Sequence, residues 1–297
     1  MGTEWRILAD SMLSAADSDA LQADFQAAVD EVDSQMSTWS PDSALMRFNA
    51  APVGPWLPLP AALLTVLEAG LAVSQASEGA FEMNVGDAVR AWGFGPAPID
   101  LSAIQAARAA RRIRAAQALE LDPAAGMARK TAPLALDLSG IAKGYGVDRL
   151  AEVAQAHGVA HALCSIDGEL RAIGTRADGQ AWQVGIDAPD GAVRGAHSRL
   201  TLADLAVATS GDYRHFVTVK GQRLAHTMHP EAGAPLTSSP ASVTVLGRSC
   251  MLADAMATAL MVRGVDRGLE IARDVGMSVL FIERSGRVSG TGLFDTA

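Results

Sequence analysis

The chain has little cysteine and no long apolar runs. Cys164 and Cys250 are its two cysteines, which excludes a disulfide framework. Both lie in apolar, strand-like stretches, so we predict buried, inert thiols, and the redox compartment stays open. The apolar runs are short and interrupted, which predicts no transmembrane helix. No basic segment followed by an apolar run opens the sequence, so no signal peptide is predicted.

Positive charge is also scarce. The 24 lysines and arginines are outnumbered by 33 acidic residues, and the net charge of −9 argues against nucleic acid as a partner. An acidic protein that binds an anionic ligand must make the electrostatic potential at the binding site positive, with a metal ion, a lysine or aligned N–H groups. The 49% of hydrophobic residues predicts a folded chain, and 297 residues can form one large domain or two lobes.

Helix and strand patterns alternate irregularly along the chain. Leu21, Phe25 and Val29 recur at helical spacing. We predict helices at 18–36, 60–77, 102–118, 145–157, 252–263 and 266–275. Strands are predicted at 4–9, 161–166, 169–174, 182–187, 197–202, 214–220, 242–247, 278–283 and 287–293. Runs of strands between helices favour an α+β fold with a mostly antiparallel sheet. The arginines at 108–114 are predicted to form a solvated helix face.

The segment Asp137–Asp148 combines a glycine-rich turn with one carboxylate and one lysine before a predicted helix. It is not a P-loop, because the spacing GxxxxGK[ST] is absent. A glycine-rich turn before a helix is structural in most proteins. Backbone N–H groups and the compact charge of Lys143 are nevertheless groups that can offset phosphate charge.

Asp254 and Thr258 stand four residues apart on a predicted helix and therefore share one face. Taken alone, they could be a capping or surface aspartate and a packed threonine. Mg²⁺ prefers a few protein oxygens completed by substrate phosphates and water, and this pair suits that preference. Together with the Asp137 segment, they are typical of a site for a Mg²⁺-bound diphosphate.

Five ordered segments resemble the ApbE family of flavin transferases, which attach the FMN half of FAD to a protein. They are 36–49, 79–86 with 92–95, 137–148, 226–235 and 254–258, and the opening Met1-Gly-Thr resembles the family's first strand. The resemblance covers nearly the whole chain. It implies a single ApbE-like domain over 1–297, a two-lobed α+β fold with FAD in the cleft.

The resemblance also implies the site residues. His226 is the candidate general base, since an unperturbed histidine pKa near ~6.5 suits proton removal from a hydroxyl. The implied metal ligands are the Gly140 carbonyl, Asp254 and Thr258. The implied FAD contacts are Met36, Trp39, Asn49, Ala80, Phe81, Glu82, Asp137, Lys143 and Met228. Trp56 is a further stacking candidate.

Three positions depart from the family pattern. Glu82 stands where the family commonly has an aspartate, which keeps the charge and shifts its reach. His229 stands where the family usually has an aspartate before the proline, and Ala257 stands where a second aspartate often precedes the threonine. The change at Ala257 predicts a thinner metal shell. His229 is open to two interpretations, the loss of an orienting carboxylate or the gain of a second proton shuttle.

These features predict a Mg²⁺-dependent FAD:protein FMN transferase that releases AMP. The expected acceptor is a Thr or Ser hydroxyl exposed on a redox-membrane or flavoprotein subunit. Two alternatives stay open: a hydrolase that splits FAD into FMN and AMP, and a non-catalytic FAD carrier. The missing signal peptide predicts a cytoplasmic location. A periplasmic one is expected if the chain given is trimmed, because the family is largely periplasmic or membrane-anchored.

Overall fold

The computed structural model describes residues 3–10, 15–187, 196–212, 216–219, 222–237 and 240–295. Its helices are α1 Ala15–Met36, α2 Ala44–Ala50, α3 Ala61–Ala76, α4 Gly86–Ala91, α5 Leu101–Ala109, α6 Ala115–Ala118, α7 Ala142–Ala156, α8 Cys250–Arg263 and α9 Val265–Asp274. Its strands are β1 Trp5–Ala9, β2 Leu57–Pro58, β3 Leu119–Asp122, β4 Met127–Lys130, β5 Ala162–Ile166, β6 Glu169–Ile173, β7 Trp182–Asp187, β8 Ala196–Leu202, β9 Ala206–Gly211, β10 Phe216–Val219, β11 Gln222–Ala225, β12 Met228–His229, β13 Ala234–Pro235, β14 Ser242–Gly247, β15 Ser278–Ile282 and β16 Val288–Thr291.

A seven-stranded sheet runs through the molecule in the order β1-β5-β6-β9-β14-β15-β16. Each neighbouring pair in it is antiparallel. The shorter strands form hairpins or small sheets, β2-β4-β3, β7-β8, β10-β11 and β12-β13. The predicted α+β class with antiparallel pairing is therefore confirmed.

Both faces of this sheet are covered, because successive strand residues point to opposite sides. Val243 and Val245 of β14 pack with α8 and α3 in the largest buried cluster. Leu246, on the other face, packs with Trp182 and Leu202 of the β7–β8 hairpin. Because both faces are covered, β14 is buried at five of its six positions, including the polar Ser242 and Thr244.

Helix α8 lies at the centre of the fold, in contact with β9, β14, α7 and α3. Its approach to α7 requires glycine at 144, since a Cβ there would lie 2.4 Å from the carbonyl oxygen of Cys250. Asp148 of α7 fixes the start of α8 by accepting the Cys250 and Met251 N–H groups at 3.0 Å. Arg171 of β6 donates to the same carboxylate at 2.6 Å. These contacts set the two site-bearing helices against each other.

The predicted helix at 102–118 is wrong. The structure has two helices there, α5 and α6, separated by extended chain. Arg112 lies in that interval with a buried side chain, and it donates to Asp87 at 2.8 and 3.0 Å. For Arg112 the predicted solvated face is therefore also wrong, because the guanidinium binds a carboxylate and the Ala107 carbonyl.

Other predicted boundaries shift or are incomplete. Helix α7 begins at Ala142, so Lys143 lies in its first turn and not in a loop. The predictions missed β9, the central strand of the sheet, together with β3, β4, α2 and α4. Of the strand predicted at 214–220, residues 216–219 form β10, and 214, 215 and 220 lie outside the described residues.

Both cysteines are buried, as predicted, although Cys250 begins a helix and does not lie in a strand. Burial raises the pKa of the Cys164 thiol to about 12 and holds the pKa of Cys250 well above its usual value. Both are therefore poor nucleophiles in the folded protein. Within the described ranges no helix is long and apolar enough to cross a membrane.

Candidate active site

A cavity of about 730 Å³ opens beside the end of β9, within the size range of small-molecule sites. Its walls come from α7, α8, the β5–β6 turn, the segment before α4 and the chain around β12. Eleven of the residues predicted for the site line it: Trp39, Ala80, Phe81, Glu82, Asp137, Gly140, Lys143, His226, Met228, Asp254 and Thr258. Segments far apart in sequence thus meet at one cavity, while the role of each residue stays a prediction.

Asp254 and Thr258 project from α8 into this cavity, as their i, i+4 spacing requires. Asp254 is buried, and its Oδ2 accepts the Gly144 N–H at 3.0 Å. Burial raises the pKa of this carboxyl, although the charge of Lys143 opposes the shift. Thr258 Oγ1 lies 3.1 Å from Ser210 Oγ. A Cβ at Gly140 would lie 2.9 Å from Thr258 Oγ1, so glycine lets the backbone reach the hydroxyl.

Lys143 places its ammonium group among carboxylates. Its Nζ lies 2.9 Å from Glu169 Oε1 and 3.5 Å from Asp167 Oδ2. Burial alone would lower the pKa of Lys143, but the charges of Glu169, Asp254 and Asp167 outweigh it and hold the pKa above its ordinary value. Lys143 is therefore a cation throughout the physiological pH range.

Oxygen donors, the type that Mg²⁺ prefers, line this part of the cavity. Three carboxyl groups, from Asp167, Glu169 and Asp254, lie near one lysine, and burial raises the pKa of Glu169 to about 8 and also raises that of Asp254. Among the described residues Asp254 has one hydrogen bond, to Oδ2, which leaves Oδ1 for a ligand. No group of three or more His, Cys, Asp or Glu side chains arranged to hold a metal occurs in the described ranges. A magnesium site here would therefore depend on a hydroxyl, a carbonyl and substrate phosphates beside Asp254.

Two further carboxyl groups, from Asp137 and Glu82, also line the cavity. Asp137 Oδ1 accepts the Ser139 N–H at 2.8 Å, and burial raises the pKa of Asp137. Glu82 Oε1 accepts the N–H groups of Asn84 and Ala115 at 2.7 and 2.9 Å. Burial raises the pKa of Glu82 too. Each carboxylate fixes the local backbone as well as lining the cavity.

His226 lies between β11 and β12, half-buried, with its ring edge-on to Phe94 at a centroid distance of 6.4 Å. The β12–β13 hairpin that follows it pairs Met228 with Pro235. The Trp92 indole N–H donates to the Gly233 carbonyl at 3.0 Å and ties this hairpin to the chain after α4. His226, Thr227 and Met228 all line the cavity.

Three candidates lie elsewhere. Met36 is buried in the main core, beside a smaller cavity of about 110 Å³ that shares Trp39 and Lys143 with the larger one. The Asn49 side chain bonds the Leu136 N–H and carbonyl, both at 2.8 Å, and so positions the chain just before Asp137. Trp56 lies against the Arg129 guanidinium at 4.8 Å.

Of the three departures from the family pattern, Glu82 lines the cavity, and His229 and Ala257 do not. His229 is exposed, and its Nδ1 accepts the N–H groups of Glu231 and Ala232 at 3.2 and 3.3 Å. It therefore closes the hairpin turn, as an aspartate side chain can. Ala257 is fully buried in the core. In this structure neither side chain is placed to act on a ligand in the cavity.

Sequence reasoning missed several residues that line the cavity. They are Thr3, Val85, Val89, Gly93, Phe94, Ser139, 167–169, 185–187, 209–211, Thr227 and Val262. The Asp167-Gly168 pair was detectable, because Asp-Gly between two strands is a strong hairpin signal. Both residues have positive φ, 50° and 105°. Their turn places Glu169 at the start of β6 and at the cavity wall.

Comparisons with known proteins agree with this geometry. The ApbE family model matches residues 1–281. A relative from Vibrio cholerae named FAD:protein FMN transferase is 36% identical over 287 residues, covering 96% of this chain and 86% of that protein. One from Klebsiella pneumoniae with the same name is 33% identical, with coverage of 96% and 83%.

Solved structures give the same result. The flavin transferase ApbE from Vibrio cholerae superposes with a TM-score of 0.87 at 34% identity, covering 99% of this chain and 95% of that one. The apo form of the Pseudomonas stutzeri flavinyl transferase ApbE gives 0.83 at 33% identity, with coverage of 99% and 96%. The resemblance predicted from five motifs is confirmed, and the chain is an enzyme that belongs to the ApbE family.

Proposed function

We propose that this enzyme transfers FMN from FAD to a Ser or Thr hydroxyl of an acceptor protein, releases AMP and depends on Mg²⁺. One observation carries the proposal: a single cavity presents Asp254 and Thr258, the Lys143 ammonium and the His226 imidazole. The relatives named FAD:protein FMN transferase support the flavin transfer itself.

The helical wall suits the diphosphate of FAD. Lys143 supplies a fixed positive charge, and Asp254, the Thr258 hydroxyl and the Gly140 carbonyl would hold Mg²⁺. The metal would neutralise charge on the phosphoryl oxygens as the bond to AMP breaks. Without such cations the three carboxylates of this wall would repel the diphosphate.

His226 suits the proton transfer. The acceptor hydroxyl donates its proton to the unprotonated imidazole, and its oxygen attacks the phosphorus on the FMN side. A new P–O bond forms to the acceptor, and the P–O bond to AMP breaks with its electron pair. A histidine near neutral pH can both accept and later release that proton. The apolar faces of Phe81 and Met228 lie in the same cavity, where they would pack against flavin or adenine.

The test is an AMP assay with FAD, run with Mg²⁺ or EDTA and with or without a flavin-free acceptor subunit. Transfer predicts AMP release and covalent flavin fluorescence only when metal and acceptor are both present. A Thr→Val substitution at the acceptor hydroxyl serves as the matched control and should abolish both signals. AMP without an acceptor would instead indicate a hydrolase, and no AMP in any mixture would indicate a carrier.

A further inference from the structure

Lys143 lies between two sources of negative charge. On one side are Glu169 and Asp167 from the β5–β6 turn, and on the other is Asp254 from α8. Nζ contacts Glu169 Oε1 at 2.9 Å and Asp167 Oδ2 at 3.5 Å. It makes no ion pair with Asp254 within 4.0 Å, although both side chains lie in described parts of the chain. The lysine is therefore held on the turn side of the cavity.

Glu169 is the more rigid partner in this arrangement. It begins β6 and pairs with Ile166 inside the seven-stranded sheet, and its side chain is 4% exposed. Among the described residues its second oxygen, Oε2, is buried without a hydrogen-bond partner. Burial and the Asp254 charge raise the pKa of Glu169 to about 8, and the Lys143 ammonium, which it contacts, opposes that shift and stabilises the ionised form. Lysine carries its charge on a flexible stem, so the glutamate determines where that charge lies.

Removing the contact between Lys143 and Glu169 would allow Lys143 to pair with Asp254. The Lys143 and Asp254 charges already act on each other. With Glu169 neutral, the strongest remaining attraction for the ammonium is the buried Asp254 carboxylate. A Lys143–Asp254 pair would occupy the oxygen that a cation needs, and would place a positive charge beside it.

We infer that Glu169 is a positioning residue that holds Lys143 away from Asp254 and so keeps Asp254 open for Mg²⁺. This inference rests on the Mg²⁺ site of the proposed function. It assigns Glu169 no contact with FAD or with the reacting atoms. Its effect is on the metal affinity of the protein.

The experiment is a calorimetric titration of the full chain with Mg²⁺ in the presence of saturating FAD, at a pH above the Glu169 pKa of about 8. Glu169→Gln keeps the shape of the side chain and removes its charge. We expect the Mg²⁺ dissociation constant to rise about 10- to 100-fold, the range seen when groups that orient metal ligands are removed. If Glu169→Gln does not fold, Glu169→Asp keeps the charge on a shorter side chain, and a rise of a few-fold is expected.

Two controls separate positioning from simple loss of charge. Asp167→Asn removes the same charge from the same turn at a longer contact, and we expect a smaller change than for Glu169→Gln. Glu120→Gln removes a carboxylate from a surface pair with Arg129, and Mg²⁺ binding should stay as in the wild type. Equal losses from Glu169→Gln and Asp167→Asn would overturn the inference in favour of a general charge effect.

The decisive variant adds Lys143→Met. Once the lysine is gone it cannot reach Asp254, so Glu169→Gln should change Mg²⁺ affinity by less than about threefold in that background. A purely structural role for Glu169 would produce the same loss with or without the lysine, and that result would overturn the inference. Wild-type affinity in Glu169→Gln would also overturn it while leaving the proposed function intact. If the wild type binds no Mg²⁺ even with FAD present, both are overturned.

Discussion

The cavity has two unlike walls. The helix wall, 137–143 with 254–258, carries buried polar groups: Asp137 is 8% exposed and Asp254 is 4% exposed. The hairpin wall, 226–235, consists of two-residue strands tied to the rest of the chain by the Trp92 hydrogen bond and an exposed Arg114–Glu231 pair. The charges proposed to bind the diphosphate are thus built into the core. The proposed proton acceptor lies just before a short hairpin, whose Met228 packs in a small apolar cluster separate from the main core.

This difference predicts that the helix wall controls binding and the hairpin wall controls rate. A network of buried polar groups tolerates little change, because removing one group leaves its partner buried without a hydrogen bond or an opposite charge. A hairpin with few contacts can be altered while the core stays folded. Four sets of variants test the comparison.

The largest effect is expected at Asp254. Asp254→Ala removes the carboxylate from the proposed metal site, so both Mg²⁺-dependent FAD binding and transfer should be lost, the rate by about 10³-fold or more, which corresponds to several kcal/mol. Thr258→Val removes only a hydroxyl dipole and should weaken transfer less. The measurements are FAD titration and FMN incorporation followed by in-gel fluorescence. Wild-type incorporation by Asp254→Ala would show that the helix wall does not bind the metal.

The next largest effect is expected at His226. His226→Ala should keep FAD affinity but lower the transfer rate at saturating FAD and Mg²⁺ by roughly 10²–10⁴-fold, as expected for a general base. His229→Ala is the matched control, since that side chain closes a turn outside the cavity. The proposed division between the two walls would be contradicted if His226→Ala keeps the wild-type transfer rate, or if His229→Ala loses more of that rate than His226→Ala does.

A smaller effect is expected where the hairpin is anchored. Trp92→Phe removes the indole N–H that donates to Gly233, which should lower the free energy of unfolding by about 1 kcal/mol. The transfer rate should fall several-fold with FAD affinity unchanged, because only the hairpin wall is loosened. Trp182→Phe is the matched control, since its buried indole N–H has no hydrogen-bond partner in the described structure. A change in FAD affinity without a change in rate would contradict the division between the walls.

The smallest effect is a pH dependence at Asp137. Burial raises the pKa of this carboxyl above its ordinary value of 3.8, so the folded protein holds the proton more tightly than the unfolded chain does. The wild type therefore loses stability as pH rises from about 3.8 through the folded pKa. Asp137→Asn cannot ionise, and its Oδ1 can still accept the Ser139 N–H. Its stability advantage over the wild type should be near zero at acid pH and grow towards neutral pH in thermal unfolding scans. A difference in stability that does not change with pH would contradict the raised pKa of Asp137.

Prediction from sequence succeeded for helices and strands whose own residues show a clear apolar pattern. Helix α1, helix α3, strand β5 and strand β14 follow from local apolar spacing, which reports the face that must be buried. It failed at β9, whose residues 206–211 contain small and polar side chains and no clear alternation. It also failed at α5 and α6, where a long-range pair between Arg112 and Asp87 divides a segment rich in helix-forming alanine and arginine.

The sequence by itself determined the fold class, the family and the chemical types at the site: a lysine in a glycine-rich segment, a carboxylate and hydroxyl one helical turn apart, and a histidine. Tertiary structure alone decided which side chains meet. It places Asn49 on the Leu136 backbone and Met36 in the core, and it brings Ser210 and Glu169 to the cavity. The reason is physical. Local periodicity specifies which face of an element is apolar, whereas contacts between distant segments depend on strand order and on close approaches such as that of Gly144 to Cys250.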